Sequence, residues 1–312
     1  MNWKIKAHIQ RTLSALPGGM VVNDLLQRLG SYRNPDASVD RTVVKDWLVQ
    51  AQYFSEIGRS IRGLHMVEIG TGWMPVFPVC YALAGAETCI TYDLYDHLSQ
   101  PRTLRMLERL RVHIPAIAKV SSTSIADVQA RYEHFLRSRT LSDLLAAAGI
   151  TYRPDSDASR TGLPDRSIDT IYSNNVLEHV ETGALKAIMG ESARILKTDG
   201  IAVHDVNCGD HFAYSDASIS QLHYLQYSST EWKRWNNSIL YQNRLRPSDF
   251  IRIAEEVGLE IVLRKSRPHP ELLKKIPAIA PEFSGYDQED LSSTSLALVV
   301  TPASPIADEW LR

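Results

Sequence analysis

A short apolar strand running into a Gly-x-Gly turn, with a carboxylate two residues ahead of the first glycine, constrains this chain more than any other feature. The segment reads His65-Met66-Val67-Glu68-Ile69-Gly70-Thr71-Gly72, and twenty-one residues beyond Gly72 a second apolar strand, Ile90-Thr91-Tyr92, ends in Asp93. Strand, glycine turn, helix and a second strand closing on an acid is the plan by which a doubly wound α/β sheet holds a nucleoside. Glycines let the backbone approach a ligand, and a carboxylate can accept from two ribose hydroxyls. Two details point away from a dinucleotide. The third glycine of that fingerprint, which permits close helix–strand packing at a pyrophosphate, is replaced by the bulk of Trp73-Met74-Pro75. Glu68 would also repel a pyrophosphate and suits a cationic ligand instead. An NAD-dependent oxidoreductase would need a glycine or alanine where Pro75 stands.

Strand and helix alternate beyond this point. Apolar runs predict strands near 65–70, 88–93, 149–153, 168–173, 200–206, 259–264 and 294–300, with helices near 75–84, 101–111, 140–148, 183–196 and 248–257. Pro247-Ser248 starts the last helix and Gly258 ends it. Such alternation implies a mainly parallel sheet with right-handed crossovers. Two stretches break the rhythm: 94–148, largely helical, and 207–247, rich in aromatic and polar residues. Before the first strand, Ile5, Ile9, Leu13 and Leu16 recur at helical spacing, as do Val22, Leu25, Leu26 and Leu29, and Val43, Trp47 and Tyr53-Phe54 suggest a third helix. This N-terminal region suits a lid, a homodimer surface or packing for the sheet, and the sequence does not choose.

Length and charge narrow the function classes. The 312 residues allow one large domain with elaborations or two modest ones, and a net charge of −2 gives no electrostatic case for nucleic acid. Cys80, Cys89 and Cys208 have no metal-like or CxxC spacing; Cys80 and Cys89 sit in apolar runs and read as buried thiols. Met1-Asn2-Trp3-Lys4-Ile5-Lys6 presents no apolar signal core, and no segment approaches the ~20 apolar residues of a membrane span. A reduced, cytoplasmic protein without a membrane partner is expected.

Later signals fall in a consistent order. Asp157-Ala158 lies just past the third strand, where a carboxylate can accept from an adenine amino group. Then come Leu163-Pro164-Asp165-Arg166-Ser167-Ile168-Asp169, Leu177-Glu178-His179-Val180 and Ala193-Arg194-Ile195-Leu196-Lys197-Thr198-Asp199-Gly200. Together with the glycine turn and Asp93, these segments resemble a class I S-adenosylmethionine-dependent methyltransferase over roughly residues 65–265. The resemblance implies a Rossmann-like, seven-stranded, mainly parallel sheet whose last strand, Thr294 to Val300, is antiparallel. It implies a domain at 61–305 with an N-terminal helical extension at 1–60, a helical insertion at 94–148, a substrate lid at 207–247 and a tail at 306–312. Glu68, Gly70, Thr71 and Gly72 would line the methionine end of the cofactor. Asp93 would bind the ribose and Asp157 the adenine amine beside the Ala158 backbone, with Asn174 near the sulfonium. The product would be S-adenosylhomocysteine.

The acceptor side is less constrained. Methyl transfer to a hydroxyl gains from a general base, and the candidates are His179, His204, His211 and His223. His204 lies inside an apolar strand and reads as a satisfied core histidine. Asp210-His211, just beyond the fifth strand, reads as an orienter–base pair or a loop anchor, and His179 opens a helix beside the cofactor. Some small-RNA and quinone-pathway methyltransferases resemble the Leu177–Val180 segment but carry a second Glu where Asn175 stands here. That leaves Glu178 and His179 as two ligands on one helix face, too few for a metal site, so no metal is expected. The stretch with Phe212, Tyr214, Tyr224, Tyr227, Trp232, Trp235 and Tyr241 reads as a cap on the sheet, a lid over a polyhydroxylated acceptor, or both. It resembles methyltransferases of bacterial polysaccharide or secondary-metabolite pathways, and Arg244 and Arg246 suit a phosphate or carboxylate on the acceptor or a solvated surface. The expected activity is methylation of a small polar acceptor. The alternatives are a protein methyltransferase and a non-catalytic methyltransferase-like binding subunit.

Overall fold

A computed structural model describes residues 1–16 and 35–303. The helical run expected around Val22–Leu29 and the expected tail at 306–312 lie outside the described residues. Seven strands form one sheet in the order β3-β2-β1-β4-β5-β7-β6. They are β1 His65–Ile69, β2 Thr88–Tyr92, β3 Ile150–Arg153, β4 Ile168–Asn174, β5 Leu196–Asn207, β6 Leu259–Pro268 and β7 Ser293–Pro302. All pairings are parallel except those of β7, which runs antiparallel to both β5 and β6. This is the doubly wound, mainly parallel sheet that the pattern predicts.

The central strands are buried on both faces, which is why they read as near-continuous apolar runs. Strand alternation sends Val67, Ile69, Ile171 and Ala202 to one core and Met66, Tyr172, Ile201 and Val203 to the other. By the same alternation Glu68 shares the face of Met66. The first core is closed by α9 (Thr182–Ile195) and α10 (Pro247–Glu256). On the second face lies α4 (Val76–Ala84), every residue of which is buried. A short helix apolar all round needs cover on both sides. The outer cover comes from α2 (Pro35–Arg41), a π-helical turn at Thr42–Trp47, α3 (Leu48–Glu56), α6 (Ile114–Val120) and α7 (Ile125–Phe135). Within 94–148 two further helices form, α5 (Gln100–Leu110) and α8 (Leu141–Ala147), and this insertion thickens the α4 side of the sheet. Cys80, Cys89 and Cys208 are buried free thiols. Among the described residues, no helix is long and apolar enough to cross a membrane.

Strand β5 begins at Leu196, earlier than the expected 200. Leu196 pairs with Ile168, the register shifts, and pairing resumes at Thr170 with Ile201. Gly200 makes the bulge feasible, since a Cβ there would stand 3.0 Å from the Ile168 carbonyl oxygen.

A third cluster joins α1 (Trp3–Ala15) to the 207–247 stretch and to residues 272–291. Trp3, Phe212, Tyr224, Trp232, Ile276 and Phe283 are among its buried members. The Trp3 amide donates to Asp216 at 2.9 Å, so the chain's start is pinned to this layer. Several aromatics of the expected lid therefore serve packing, whereas Tyr214 is 63% exposed.

One polar contact welds α3 to the sheet. The Gln50 side-chain amide donates to the Ser173 carbonyl and to Asp205, each at 3.0 Å, and the Tyr53 hydroxyl donates to Asp205 at 3.2 Å. Burial raises the Asp205 carboxyl to about 6, against these two donors. An acid whose folded value lies above its unfolded one adds stability at low pH, which is lost as pH rises between the two values. Stability should thus fall by roughly 2 kcal/mol from this group between pH 4 and 6. Urea unfolding across that range should show a shallower pH slope for Asp205→Asn than for the parent; equal slopes would contradict the assignment.

Candidate active site

The carboxyl ends of the parallel strands gather two sets of side chains. The first is a crevice at the ends of β1, β2 and β4. Gly70 and Gly72 both have positive φ, 82° and 67°. The Gly70 amide donates to the Tyr92 carbonyl at 2.8 Å, and the Gly72 amide donates to an Asp93 carboxylate oxygen at 2.8 Å. The other Asp93 oxygen accepts from the Tyr95 amide at 3.1 Å, and the Ser156 amide donates to the Asp93 carbonyl at 3.0 Å. Asp93 therefore ties the glycine turn to the loop that carries Asp157 and Ala158. Asp157 is exposed and accepts from the Ser159 amide at 2.8 Å, while Ala158 is buried. The buried Thr71 hydroxyl contacts that of Thr91. Asn174 ends β4 opposite Asp205.

Two observations test whether this crevice suits a nucleoside-bearing sulfonium. Glu68 is 4% exposed and its Oε2 has no hydrogen-bond partner. Burial, reinforced by the charge of Asp93, holds its carboxyl well above the usual carboxylate range, with Tyr172 pulling the other way. A cation nearby would relieve that cost. Space also lies open over Gly72, where an added Cβ would meet no atom within 4 Å. The residues fit such a ligand. The Met74-Pro75 departure leaves the turn intact: Pro75 caps α4, and the Val76 amide donates to the Met74 carbonyl at 2.8 Å. A hollow of about 540 Å³ bordered by Arg62, Gly85, Arg131 and Gly149 lies by the opposite ends of the strands and gathers none of these groups.

The second set is Glu178, His179 and His211. Glu178 and His179 stand on a 3-10 turn, Leu177–His179, just past β4, and His211 opens another, His211–Tyr214, past β5. The Asn243 side-chain amide donates to the carbonyls of Leu177 and Val180 at 2.8 and 2.9 Å, clamping the first turn. The His211 amide donates to the Gln242 side chain at 3.0 Å, and that side chain donates to the Gly209 carbonyl. His179 Nδ1 donates to the Tyr241 carbonyl at 2.7 Å. The imidazoles stack edge-on, centroids 4.8 Å apart, and the Tyr214 ring lies 5.3 Å from that of His211. Burial raises the Glu178 carboxyl to about 8 and lowers the His211 imidazole to about 3, the latter with help from the charges of His179 and Lys6. Burial also lowers His179.

The structure corrects three expectations. Asp210 does not orient His211. As the cap of the His211–Tyr214 turn it accepts from the Phe212 amide at 2.8 Å, which turns it inward to His223 Nδ1 at 3.1 Å. Arg244 and Arg246 face no acceptor and are not solvated. Arg244 pairs with Glu282 at 2.7 Å, and Arg246, fully buried, donates to the Tyr224 hydroxyl and to the carbonyls of Cys208, Asp290 and Ser293. Glu178 and His179 are not alone as metal-type ligands: His211, on a neighbouring strand end, joins them. His204 is a satisfied core group, its Nδ1 bonded to the Ser173 hydroxyl at 2.8 Å.

The sheet order, the glycine turn and the acid ending β2 define an α/β fold that presents a nucleoside crevice at its strand ends. The chain matches the profile of a family described as "Methyltransferase domain" over residues 21–264, well over half its length. It belongs to this family. It is a class I S-adenosylmethionine-dependent methyltransferase, with S-adenosylmethionine as its cofactor. No curated protein matches by sequence. Among solved structures it is similar to a protein from Galdieria sulphuraria described as a sarcosine dimethylglycine methyltransferase (13% identity, 87% of this chain and 91% of that one, TM-score 0.48). It is also similar to geranyl diphosphate C-methyltransferase from Streptomyces coelicolor A3(2), in complex with Mg2+, geranyl diphosphate and S-adenosylhomocysteine (12% identity, 86% and 83%, TM-score 0.45).

The two glycines should respond differently to a methyl group. At Gly70 a Cβ would lie 2.4 Å from a Val176 methyl, whereas at Gly72 it meets nothing. Gly72→Ala should cost about 1–2 kcal/mol, from the left-handed backbone alone, and Gly70→Ala distinctly more. Equal urea midpoints for the two variants would refute the Val176 contact.

Proposed function

We propose that the enzyme transfers the methyl group of S-adenosylmethionine to a hydroxyl of a small polar acceptor, sugar-like or of secondary-metabolite type; amines and carboxylates are the next acceptor groups. The observation that carries this reading is the trio of Glu178, His179 and His211. It sets unpartnered polar atoms beside the cofactor crevice, next to the exposed Tyr214 ring. An amphipathic ring beside buried polar groups suits a polyhydroxylated ligand.

In this reading Glu68, Gly70, Thr71 and Gly72 hold the methionine end of the cofactor. Asp93 accepts from the ribose hydroxyls through lone pairs left over from its two backbone bonds. Asp157 takes the adenine amine beside the Ala158 backbone, and Asn174 lies near the sulfonium. When bound, the cofactor supplies an electrophilic methyl carbon. The protein's part is to seat the acceptor oxygen in line and to activate its hydroxyl. Orientation alone can supply ~7–11 kcal/mol of barrier reduction, and help with the proton about 10²–10⁴-fold in rate. The trio is assigned both tasks. Burial keeps the two imidazoles neutral, so they can accept from a hydroxyl.

Isothermal titration with S-adenosylhomocysteine tests the cofactor half. Asp93→Ala should bind ten- to a hundredfold more weakly, as the loss of about 1.5–3 kcal/mol from hydrogen bonds to a charged group predicts, whereas His211→Ala should stay within twofold of the parent. Unchanged affinity in Asp93→Ala would move the ribose site elsewhere. Incubation with methyl-labelled cofactor and a panel of sugars and hydroxylated metabolites tests the acceptor half. Label should enter the small-molecule fraction, be lost with His211→Ala, and stay out of added protein; label in protein would overturn the reading.

A further inference from the structure

We propose that Glu178, His179 and His211 bind one divalent transition-metal ion, of the Zn2+ or Mn2+ class, at the carboxyl ends of β4 and β5. One ligand atom from each lies within 4.8 Å of the other two. Both carboxylate oxygens of Glu178 and Nε2 of His211 are buried without a hydrogen-bond partner. Buried polar atoms left in that state are costly, and most are satisfied. A direct bond between the two would relieve both, but the closest approach is 4.0 Å, too long for one. The gap suits an atom placed between them.

The chemistry of the set is specific. Two imidazoles and one carboxylate favour a transition ion over Mg2+ or Ca2+, which take oxygen ligands. His179 already donates from Nδ1 to the Tyr241 carbonyl, which leaves the lone pair on Nε2 for a ligand. Asn243 and Gln242 hold the two turns, so the ligands arrive on braced backbone. Ligand atoms at ~2.0–2.2 Å from one ion stand about 3–3.5 Å apart, so side-chain rotations of about 1 Å complete the site. Three protein ligands leave at least one position open, as in catalytic rather than structural sites. That position would take the acceptor oxygen, the ion then acidifying its hydroxyl in place of direct acceptance by the imidazoles, whose lone pairs it occupies; this use rests on the function proposed above, and binding of the ion does not rest on it.

The test uses the full chain, stripped with chelator and titrated calorimetrically with ZnCl2 and with MnCl2, alongside elemental analysis. One equivalent should bind with micromolar or tighter affinity for at least one of them. His211→Ala and Glu178→Gln should each lose at least tenfold, with S-adenosylhomocysteine affinity within twofold of the parent as proof of an intact fold. Should either variant lose cofactor binding, His179→Gln, at the most exposed residue of the three, carries the comparison. Cobalt-loaded protein should show visible ligand-field absorption that His179→Gln alters. Absence of binding at millimolar metal, or equal binding in parent and variants, would overturn the site. Methyl transfer that persists undiminished in chelator would likewise overturn the ion's use while leaving the methyltransferase reading in place. Failure of the parent to bind S-adenosylhomocysteine would instead strike that reading and leave the metal result standing.

Discussion

The hydrogen bond from the Gly72 amide to the Asp93 carboxylate couples the carboxyl ends of β1 and β2, and the rest of the crevice is placed relative to it. A turn that is left-handed at both glycines exposes amides that need partners, and Asp93 supplies one from the next strand. The same residue receives the Ser156 amide on its carbonyl, which draws in the loop beyond β3. Three strand ends are thus referenced to one acid. A parallel sheet puts those ends on one side of the molecule, so a single tether suffices to gather groups far apart in sequence.

This part of the site is legible in the sequence because its determinants are local. Glycines at a strand end, an acid at the next one and proline–glycine punctuation around α10 each act within a few residues. Arg244 and Arg246 show where such reading stops. Beside exposed polar residues in an aromatic stretch, they suit an anionic acceptor or open solvent. Partners that hold them, Glu282 for one and the carbonyls of Asp290 and Ser293 for the other, include groups more than thirty residues on. Asp210 misleads for the opposite reason. Its sequence neighbour His211 is close along the chain, but an acid that caps a turn folds over the following amides and turns away from the next side chain. The approach of His211 to Glu178 is set by the pairing of β4 with β5 and by two short turns, which no spacing rule encodes.

Polar groups buried near the strand ends fall into two kinds, and the distinction separates scaffold from site. Asp205, half-buried, and His204, buried, are acid and base on the same strand, and each is satisfied: the first by Gln50 and Tyr53, the second by Ser173. Satisfied polar groups of this kind fix register and position. Glu68, Glu178 and His211 are equally enclosed but retain unpartnered atoms. Each such atom costs the fold on the order of 1–3 kcal/mol, and an apolar residue of similar size would avoid that cost.

Among the described residues, the buried unpartnered atoms on titratable side chains belong to these three residues, whereas those on Gln10, Trp47, Thr103 and Trp232 are on neutral side chains elsewhere in the fold. Glu68 lies at the turn that begins the crevice, and Glu178 and His211 lie together on the two strand ends beyond it. A ligand with positive charge at the first position and a group that accepts both a carboxylate and an imidazole at the second would satisfy all three. Among titratable side chains, then, stability is given up at the places where binding would restore it. The same logic explains why His204, one strand residue from Asp205, reads as core while His211, on a loop seven residues later, reads as site: partners, rather than residue type or depth, decide between them.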